Sequence, residues 1–519
     1  MRKKVVGLSF AALFLISSFA AVPASAETVE WSEPFPIWED VEPLYDSSIA
    51  ANNQGWQVVA WNAWDGFQSI VYADRFNPET GWAGAEALGT GYGPVVGIDD
   101  AGNSTVAWID QTTIMVTRYV PLYGAWDEMG AISGSEPRIY KLQLSVCGNG
   151  GAVAAWQRWD GVNYGILAST RDVGSTWSEA ALIQDVGYVG DSSVAMDDSR
   201  NAVVVYSAYE DSQQNIYAKH YVYGQGWSAG VLIENQLGDS RSPTIVMNGD
   251  GLAIAGWMSR VDIRYVGFAN VYVPELGWGV ENPIEDPAVG SSGSPALAID
   301  ENGDAVAAWR IVAADGSYDC VRANLFDSAS GWGGPTTIDD MSGGSSVQVC
   351  AVTDGGVYVA WHALDWENYT TRICANHYSP DEGWVGVSVV TESINITGHA
   401  IVPNHLGGAT VEWSALYAEW GIYVSSCSGS GTISDEPVAV MDVLERNNWK
   451  TWKFDGRSST DDVRIVEYLW DFGDDNYADT KVTWHTYNKA GDYTVTLTVW
   501  DDDGNSDSMS MMLSVWPSS

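Results

Sequence analysis

One aromatic residue recurs along most of this chain after a run rich in Val and Ala, and this spacing restricts the fold more than any other feature. The steps between its occurrences run from 47 to 52 residues, at Trp61, Trp108, Trp156, Tyr206, Trp257, Trp309, Trp361 and Trp413. A Gly or Asn turn usually precedes the run, as in Ala298–Trp309, which predicts a strand, a tight hairpin and a second strand. A fixed period of this length indicates a repeat architecture.

A tryptophan of a second kind recurs in each period, usually after Gly, at Trp31, Trp82, Trp126, Trp177, Trp227, Trp278, Trp332 and Trp384. It follows a third strand, such as Ile216–Tyr223, and begins a fourth. A unit of four short strands, with two aromatic residues that fill the wedge between neighbouring sheets, is typical of one blade of a β-propeller. The sequence therefore predicts an all-β chain with an eight-bladed β-propeller over residues 27–430.

The order of the two aromatic residues predicts how the ring closes. Trp31 comes before any aromatic of the first kind, whereas Trp413 is followed by a third-type strand, Ile422–Ser426, after which the repeat ends. We therefore expect the N-terminal segment near Trp31 to complete the last blade beside Gly421–Cys427, which protects the sheet edges. An open array of sheets is the alternative, and it would leave two half-blades unpaired.

The first 26 residues have the pattern of a secretory signal peptide. Arg2, Lys3 and Lys4 precede an apolar run over residues 5–21, and Ala24–Ala26 offers small residues for cleavage. A membrane anchor is the alternative, but the run is short for a span. We expect a secreted or cell-surface protein without a transmembrane segment in the mature chain.

The chain is strongly acidic, with 67 Asp and Glu against 24 Lys and Arg and a net charge of −43. This charge disfavours nucleic acid and anionic membranes as partners and favours cations, including Ca²⁺. The acidic turns at Asp300–Asp304 and Asp501–Gly504 lack the distal Glu of a calcium loop, and hairpin turns explain them equally well. Calcium binding stays open, and no other cofactor is expected.

Five cysteines, Cys147, Cys320, Cys350, Cys374 and Cys427, lie far apart and lack any C-x-x-C pairing. Export permits disulfides. We expect most of these cysteines to be small buried residues, with one disulfide left open and no zinc site.

The character of the sequence changes after a linker at residues 431–436. Residues 437–516 contain W-D-F-G-D at Trp470–Asp474, H-T-Y at His485–Tyr487 and G-D-Y-T-V-T-L-T-V at Gly491–Val499. Alternating strands with Gly and Asp turns suit an immunoglobulin-like β-sandwich. The three motifs, in this order, resemble the PKD domain family. The resemblance implies a spacer or contact module, common on microbial and archaeal surface proteins and secreted hydrolases, without catalysis. It also implies that His485 shapes the fold.

The segment Thr170–Trp177 resembles the Asp-box of sialidase-like propellers, which implies a hairpin at the periphery of a blade. A sialidase also needs an arginine cluster for the substrate carboxylate. The Arg-Ile-Pro signature of that family is absent, so the activity is not carried over.

The loops between the second and third strands are rich in aromatic and acidic residues. Trp faces stack on sugar rings, and carboxylates accept hydrogen bonds from hydroxyl groups. The candidate ligand-binding residues are Trp64, Asp65, Trp159, Asp160, Tyr209, Glu210, Asp365, Trp366 and Trp420. In the alternative interpretation, Asp-Gly pairs only close turns and the Trp side chains pack on the neighbouring blade.

Three functions follow from this reading. The first is an extracellular or cell-surface binding or adhesion protein, with a propeller that recognises a carbohydrate or an envelope protein. The second is a secreted glycan-active hydrolase or lyase with a carboxylate site at the propeller axis, since paired carboxylates can hydrolyse glycosides. No sequence feature selects such a pair, and no catalytic set stands out. The third is a structural envelope component.

Overall fold

The computed structural model describes residues 29–516 apart from residues 41–43, 175, 186–188, 211–212, 237, 314–318, 340–343, 354, 366–369, 394, 417–419, 430–438, 440, 446–449, 457–458, 460–464, 475 and 502–505. The signal-peptide segment, the linker at residues 431–436 and Trp366 therefore lie outside the described residues. The described part of the chain contains β-strands and no helix.

The described strands β1 to β38 form eight blades, and the N-terminal strand β1 (Phe35–Asp40) belongs to the last of them, blade 8. Blades 1 to 4 comprise β2 (Leu44–Ala51), β3 (Gln57–Trp64), β4 (Ser69–Asn77), β5 (Gly81–Trp82) and β6 (Glu86–Thr90) in blade 1; β7 (Tyr92–Ile98), β8 (Ser104–Asp110), β9 (Thr113–Val120), β10 (Ala125–Trp126) and β11 (Gly130–Ala131) in blade 2; β12 (Arg138–Val146), β13 (Ala152–Trp159), β14 (Tyr164–Arg171) and β15 (Ala181–Asp185) in blade 3; and β16 (Val189–Met196), β17 (Ala202–Glu210), β18 (Gln213–Val222), β19 (Gly226–Trp227) and β20 (Val231–Leu232) in blade 4.

Blades 5 to 8 comprise β21 (Ser240–Met247), β22 (Ala253–Val261), β23 (Arg264–Val273), β24 (Gly277–Trp278) and β25 (Asn282–Pro283) in blade 5; β26 (Gly290–Ser292), β27 (Ala296–Ile299), β28 (Ala305–Ala313), β29 (Asp319–Asp327), β30 (Gly331–Trp332) and β31 (Thr336–Thr337) in blade 6; β32 (Ser345–Ala351), β33 (Val357–Asp365), β34 (Thr370–Ser379) and β35 (Gly383–Ser393) in blade 7; and β36 (Asn395–Pro403), β37 (Ala409–Leu416) and β38 (Trp420–Ser426) in blade 8. The second unit holds β39 (Asp442–Glu445), β40 (Thr451–Asp455), β41 (Ile465–Asp471), β42 (Tyr477–Ala478), β43 (Val482–Thr486), β44 (Gly491–Asp501) and β45 (Ser506–Val515).

The eight sheets form a closed ring. The first strand of each blade contacts the first strand of the next, from β2 through β7, β12, β16, β21, β27 and β32 to β36, and β36 contacts β2. The first strands therefore lie around a common axis. The predicted eight-bladed propeller is confirmed.

The N-terminal strand completes blade 8, as the order of the repeats predicts. Strand β1 pairs antiparallel with β38, from Phe35 opposite Val424 to Asp40 opposite Trp420. Trp31 itself precedes this strand, and its indole N–H donates to Ser388 Oγ of blade 7 at 2.9 Å. The two ends of the propeller therefore share one sheet.

The repeated aromatic residues of the first kind, from Trp61 to Trp413, form contacts between blades, and each is at most 1% exposed. Trp309 of blade 6, for example, packs with Ile254 and Ala269 of blade 5. Its indole N–H donates to Glu285 Oε2 at 3.2 Å, and the Tyr206 hydroxyl donates to Gln184 Oε1 at 3.2 Å. Large aromatic side chains contribute much of the apolar area that a core buries. Each therefore fixes its own blade against the preceding one.

The first strand of every blade is irregular at the same place. Its register shifts after Leu44, Tyr92, Tyr140, Val189, Arg241, Ser345 and Ile396, and in blade 6 the strand divides into β26 and β27 at the corresponding position. A β-bulge adds a residue to one strand and redirects its side chains. The result is a ring of bulges around the axis, at the end of each blade where the second strand leads into the third. We call this end the B–C face.

The second unit consists of two sheets, β39-β40-β43 and β42-β41-β44-β45, which pack on each other as the predicted sandwich. Phe454, Trp470 and Tyr487 are fully buried between them. The His485 ring stacks on Phe472 with centroids 4.2 Å apart, and its Nε2 lies 2.9 Å from Asp474 Oδ2. His485 is therefore a packing residue, in agreement with the sequence-based expectation.

All five cysteines are buried, and each has a free thiol. Within the part of the chain that is described, no helix has the length and apolar character needed to cross a membrane.

Candidate functional site

The candidate ligand-binding residues that the structure describes lie on the B–C face but on five different blades. Trp64, Trp159 and Asp365 each end a second strand, as do Tyr209 and Glu210 together, and Trp420 begins a third strand. The second strand of each blade is the neighbour of the innermost strand and lies farther from the axis. These residues are therefore spread around the ring and do not converge on one pocket. Only the backbone of Asp365 is described, where it pairs with Thr370.

Asp65 and Asp160 close the turns in which they stand. In each, Oδ1 accepts the backbone N–H groups of the second and third residues that follow, at 2.8 and 2.9 Å for Asp65 and at 2.8 Å for both bonds of Asp160. These hydrogen bonds lower the pKa of both carboxyl groups. The largest contribution comes from the backbone N–H of Gln68 for Asp65 and from that of Asn163 for Asp160. This geometry matches the alternative interpretation, in which Asp-Gly pairs are turn residues.

The remaining candidates differ in their exposure. Trp64 and Tyr209 are 43% and 46% exposed, so both are accessible to a ligand. Glu210 accepts a hydrogen bond from the Tyr217 hydroxyl. Trp420 is half-buried against the core between blades 8 and 1, which includes Trp61, so it serves packing.

A pocket of about 720 Å³ opens on the B–C face above the bulges of blades 1 to 4. We call it the bulge pocket. Its polar and aromatic lining residues are Asp46, Ser47, Tyr92, Tyr140, Lys141, Gln157 and Tyr164, and its apolar ones include Ile109, Ile139, Leu142 and Val189. A concave site with a mainly apolar lining and a few polar groups is the usual form of a small-ligand site.

Aromatic rings form one side of the bulge pocket. The centroids of Tyr140 and Tyr164 lie 6.3 Å apart, and Trp159 lies behind Tyr164 at 4.6 Å. Tyr92 is 43% exposed on the neighbouring blade. Trp159, a predicted ligand-binding residue, therefore supports the lining of this pocket from outside it.

The charged groups of the bulge pocket have different surroundings. Lys141 forms an ion pair with Asp191 of blade 4, and Asp191 Oδ2 also accepts a hydrogen bond from Ser242 Oγ at 2.9 Å. Both residues are exposed, and partial loss of solvation lowers the pKa of Lys141 and raises the pKa of Asp46. Among the residues that the structure describes, none donates a hydrogen bond to the Asp46 carboxylate or forms an ion pair with it.

The prediction from the sequence did not include the lining residues of the bulge pocket, because they lie inside strands. One signal could have revealed part of the set, since a tyrosine stands 16 residues before the repeated Trp in each of the first three repeats. These are Tyr45, Tyr92 and Tyr140, which precede Trp61, Trp108 and Trp156.

The opposite face of the ring has a smaller polar cavity of about 190 Å³, lined by the carboxyl groups of Asp100, Asp198 and Glu301. Asn53 Nδ2 donates to Glu301 Oε1 at 3.2 Å and so joins blade 1 to blade 6. Burial and the charges of Asp198 and Asp99 raise the pKa of Asp100. Across the described residues, no group of three or more His, Cys, Asp or Glu side chains is placed to hold a metal ion.

Comparison with known proteins identifies the C-terminal unit. The profile of the PKD domain family matches residues 434–515. The pre-pro-metalloprotease PrtV of Vibrio cholerae is 47% identical over 58 residues, which are 11% of this chain and 6% of that protein. Collagenase ColA of Clostridium perfringens is 43% identical over 63 residues, 12% of this chain and 6% of that protein. The chain thus spans only a small part of these relatives.

Among solved structures, the PKD1 domain from the Vibrio cholerae metalloprotease PrtV is 36% identical, covers 15% of this chain and 96% of that chain, and has a TM-score of 0.15. A structure of the Dos1 propeller is 8% identical, covers 77% of this chain and 95% of that chain, and has a TM-score of 0.44. Residues 434–515 are a PKD domain, as the motifs predict. The assignment of the ring depends on the strand pairing of this chain.

Proposed function

We propose that this chain, an eight-bladed propeller followed by a PKD domain, is an extracellular or cell-surface binding protein whose bulge pocket takes carbohydrate. The observation that carries the proposal is the lining of the pocket, in which Tyr92, Tyr140 and Tyr164 surround a volume of about 720 Å³ that also holds Asp46 and Lys141. This volume lies in the range of sites for small ligands.

The chemistry of the lining suits a sugar. Tyrosine rings are rigid and amphipathic, so they stack on the apolar faces of sugar rings and offer a hydroxyl at the edge. Asp46 accepts hydrogen bonds from sugar hydroxyl groups, and Lys141 can donate them. Exposed Trp64 and Tyr209 are candidates for further contacts with a longer glycan on the same face.

The PKD domain and the signal-peptide pattern support an extracellular location. The family resemblance implies surface proteins and secreted hydrolases, and the relatives that match are a metalloprotease and a collagenase. The matches span only 58 and 63 residues of this chain, so the activities of these two proteins are not carried over to it. We propose that the PKD domain is a spacer or contact module beside the binding ring.

The proposal is tested by glycan-array screening of the purified chain, followed by titration calorimetry with the best ligand. Tyr140→Ala removes a ring from the pocket, and we expect it to weaken binding by about tenfold or more, because removing an aromatic anchor typically costs over 1 kcal/mol. Tyr123→Ala is the matched control, since Tyr123 is 75% exposed in the turn after β9 and outside the pocket. Unchanged binding by Tyr140→Ala would contradict the proposed site.

A glycan-active hydrolase or lyase is the second candidate. The raised pKa of Asp46, a residue that lines the pocket, favours it, since a general acid must keep its proton to a higher pH than an ordinary carboxyl group does. Glycosidases usually need two carboxyl groups. Release of reducing ends by the wild-type chain, lost in Asp46→Asn, would replace the binding function with catalysis. A blank array would instead favour an envelope protein as the partner.

A further inference from the structure

We infer that the contact between blades 7 and 8 is an acid-sensitive joint, at which protonation of His362 and His399 separates the two blades and opens the ring. This inference goes beyond the proposed carbohydrate function and does not depend on it. It follows from a packed pair of histidine rings, from their buried ring nitrogens without hydrogen-bond partners, and from the residues that occupy the same positions at the other contacts between blades.

The two histidines face each other across the contact between blades 7 and 8. His362 lies on β33, the second strand of blade 7, and His399 lies on β36, the first strand of blade 8. The centroids of the two rings are 4.5 Å apart, and the ring planes are tilted by 37°. His399 is buried and His362 is half-buried. A positive charge on either ring would therefore form against the other ring and with little contact to solvent.

The surroundings of the pair do not stabilise a charge. Nε2 of His362 and both ring nitrogens of His399 are buried without a hydrogen bond to any residue that the structure describes. The Ala360 carbonyl approaches His399 and opposes the shift of its pKa, but not with the geometry of a hydrogen bond. Burial lowers the pKa of His362 from 6.5 to about 4, and burial together with the charge of a protonated His362 lowers the pKa of His399 to about 3. Separation of the blades restores solvation and lets both rings take up protons.

The other repeats show that the fold does not require histidines at these positions. His362 follows the repeated aromatic of its blade, and His399 stands 14 residues before the repeated aromatic of the next blade. At the other seven contacts the corresponding pairs are Asn62 with Pro94, Ile109 with Leu142, Gln157 with Ser192, Ser207 with Pro243, Met258 with Pro295, Arg310 with Val347, and Ser414 with Ser47. None of these pairs contains two ionisable side chains. Between blades 3 and 4 the pair is joined by a hydrogen bond, in which Gln157 Nε2 donates to Ser192 Oγ at 3.4 Å.

Other charged or titratable groups lie on the strands and turns around this contact, and their effects differ in sign. Among those whose side chains are described, they are Arg372, His377 and Glu392 of blade 7, and Glu39, His405 and Glu412 of blade 8. Arg372 and Glu392 form an ion pair at 2.8 Å. Burial raises the pKa of Glu412 to about 7, so acid neutralises this carboxyl group and strengthens the packing of blade 8.

Two of these groups are histidines that acid also protonates. The His377 ring stacks on Tyr358 at the same contact, with centroids 4.3 Å apart, and the His405 ring lies 5.7 Å from that of Phe76 in blade 1. The experiment therefore keeps both of them in place and changes only His362 and His399.

The pair contributes fully to closure of the ring above pH 6.5, where both rings are neutral whether the blades are packed or separated. As the pH falls from 6.5 towards 4, the separated blades take up protons before the packed blades do, so this contribution is lost. Each blade is a sheet of its own, and the hydrogen-bonded ladders that the structure describes run within blades. The contact can therefore open while the sheets stay intact.

Buried cysteines report on the contacts between blades separately. Cys350 and Cys427 belong to the core cluster between blades 7 and 8, whereas Cys147 lies between blades 3 and 4 and Cys320 between blades 5 and 6. A pyridyl disulfide labels accessible thiols in acid by thiol–disulfide exchange, and mass spectrometry of the digested chain assigns each label. In the full chain, the labelling rates of Cys350 and Cys427 relative to that of Cys147 should rise by about tenfold or more between pH 7 and pH 4, because each pKa is lowered by more than one unit.

The variant that tests the pair takes its residues from blades 3 and 4. The double substitution His362→Gln with His399→Ser introduces the side chains that Gln157 and Ser192 provide at the same positions, and it should abolish the rise in labelling at pH 4. His220→Gln is the matched control. His220 lies between blades 4 and 5, where its Nε2 accepts a hydrogen bond from the Trp278 indole at 2.9 Å, so this substitution should leave the acid response of the reporter cysteines unchanged.

The order of labelling decides the inference. Labelling of Cys350 and Cys427 in acid no earlier than that of Cys147 and Cys320 in the wild-type chain would overturn it. An acid response that the double variant retains would overturn it as well, since His377 or His405 would then be responsible. If the double variant does not fold at pH 7, the order of labelling in the wild-type chain decides alone.

Discussion

At the scale of single residues, Glu412 is the side chain that departs most from its repeat. The residue before the repeated aromatic is small in the other seven blades: Ala60, Ala107, Ala155, Val205, Gly256, Ala308 and Ala360. In blade 8 it is Glu412, which is fully buried. Burial raises the pKa of Glu412 to about 7, an effect that the Ser47 hydroxyl of blade 1 opposes. A titratable group therefore lies in the contact between the last blade and the first.

The stability of the ring should depend on the ionisation of Glu412. Because its pKa is raised from 4.5 in the unfolded chain to about 7 in the folded chain, its contribution to stability is full below pH 4.5 and is lost as the pH rises to about 7. The loss corresponds to about 3 kcal/mol. Glu412→Gln should remove this part of the pH dependence, measured by chemical denaturation at several pH values. Glu382→Gln, an exposed residue, is the control, and an unchanged slope in Glu412→Gln would refute the prediction.

The turn residue Asp160 distinguishes a structural role from a binding role. Asp160→Ala removes the acceptor of two backbone hydrogen bonds at 2.8 Å, so we expect a lower thermal midpoint with unchanged glycan affinity. Asp160→Asn keeps the acceptor oxygen and should lie close to the wild type. If Asp160→Ala instead lost affinity at full stability, Asp160 would be a ligand contact.

At the scale of strands, features that depend on local sequence patterns were predictable from the sequence. Features that depend on packing between blades were not. The hairpin before Trp309 and the position of Trp31 ahead of the first repeat are local signals, and they predicted the blades and the closure of the ring. The bulges at Asp46 and Lys141 have no comparable local signal in the sequence. They lie inside first strands, and they line one pocket only because the blades pack around a common axis. The predicted ligand-binding residues and the bulge pocket therefore lie on the same face, but the lining residues of the pocket were not among those predicted.

Strand β1 is the element on which closure of the ring depends. Deleting residues 29–40 leaves β38 with an unpaired edge, and exposed edges promote association between molecules. We expect a lower thermal midpoint and oligomers in size-exclusion chromatography. Deleting only residues 29–31 removes the Trp31 contacts but keeps β1, and this control should lose less stability. Equal stability of both deletions would contradict a closing role for β1.

At the scale of the whole molecule, the ring and the PKD domain are separate folding units, because each has a core of its own. The PKD core contains Phe454, Trp470, Tyr487 and Leu497, all fully buried. Blade packing does not contribute to this cluster.

Residues 434–516 should therefore fold alone. We expect a fragment of these residues to give a cooperative thermal transition by circular dichroism, and the full chain to show the same transition beside that of the ring. The fragment with Trp470→Ala is the control for cooperative folding, and it should be unfolded or strongly destabilised. A wild-type fragment without a transition would show that the domain needs the ring.

The shared sheet of blade 8 also sets an order on biosynthesis. Ser32 and Ser425, whose hydroxyl groups meet in that sheet, are 393 positions apart in the chain. The ribosome synthesises β1 long before its partner strand β38. Strand β1 therefore stays unpaired while every other blade is synthesised. Blades 1 to 7 can each form their own hairpins as they emerge, but the circle is completed only when β38 has been made. The nascent chain is thus an open arc until its final blade, and this is the stage at which it is most exposed to other chains.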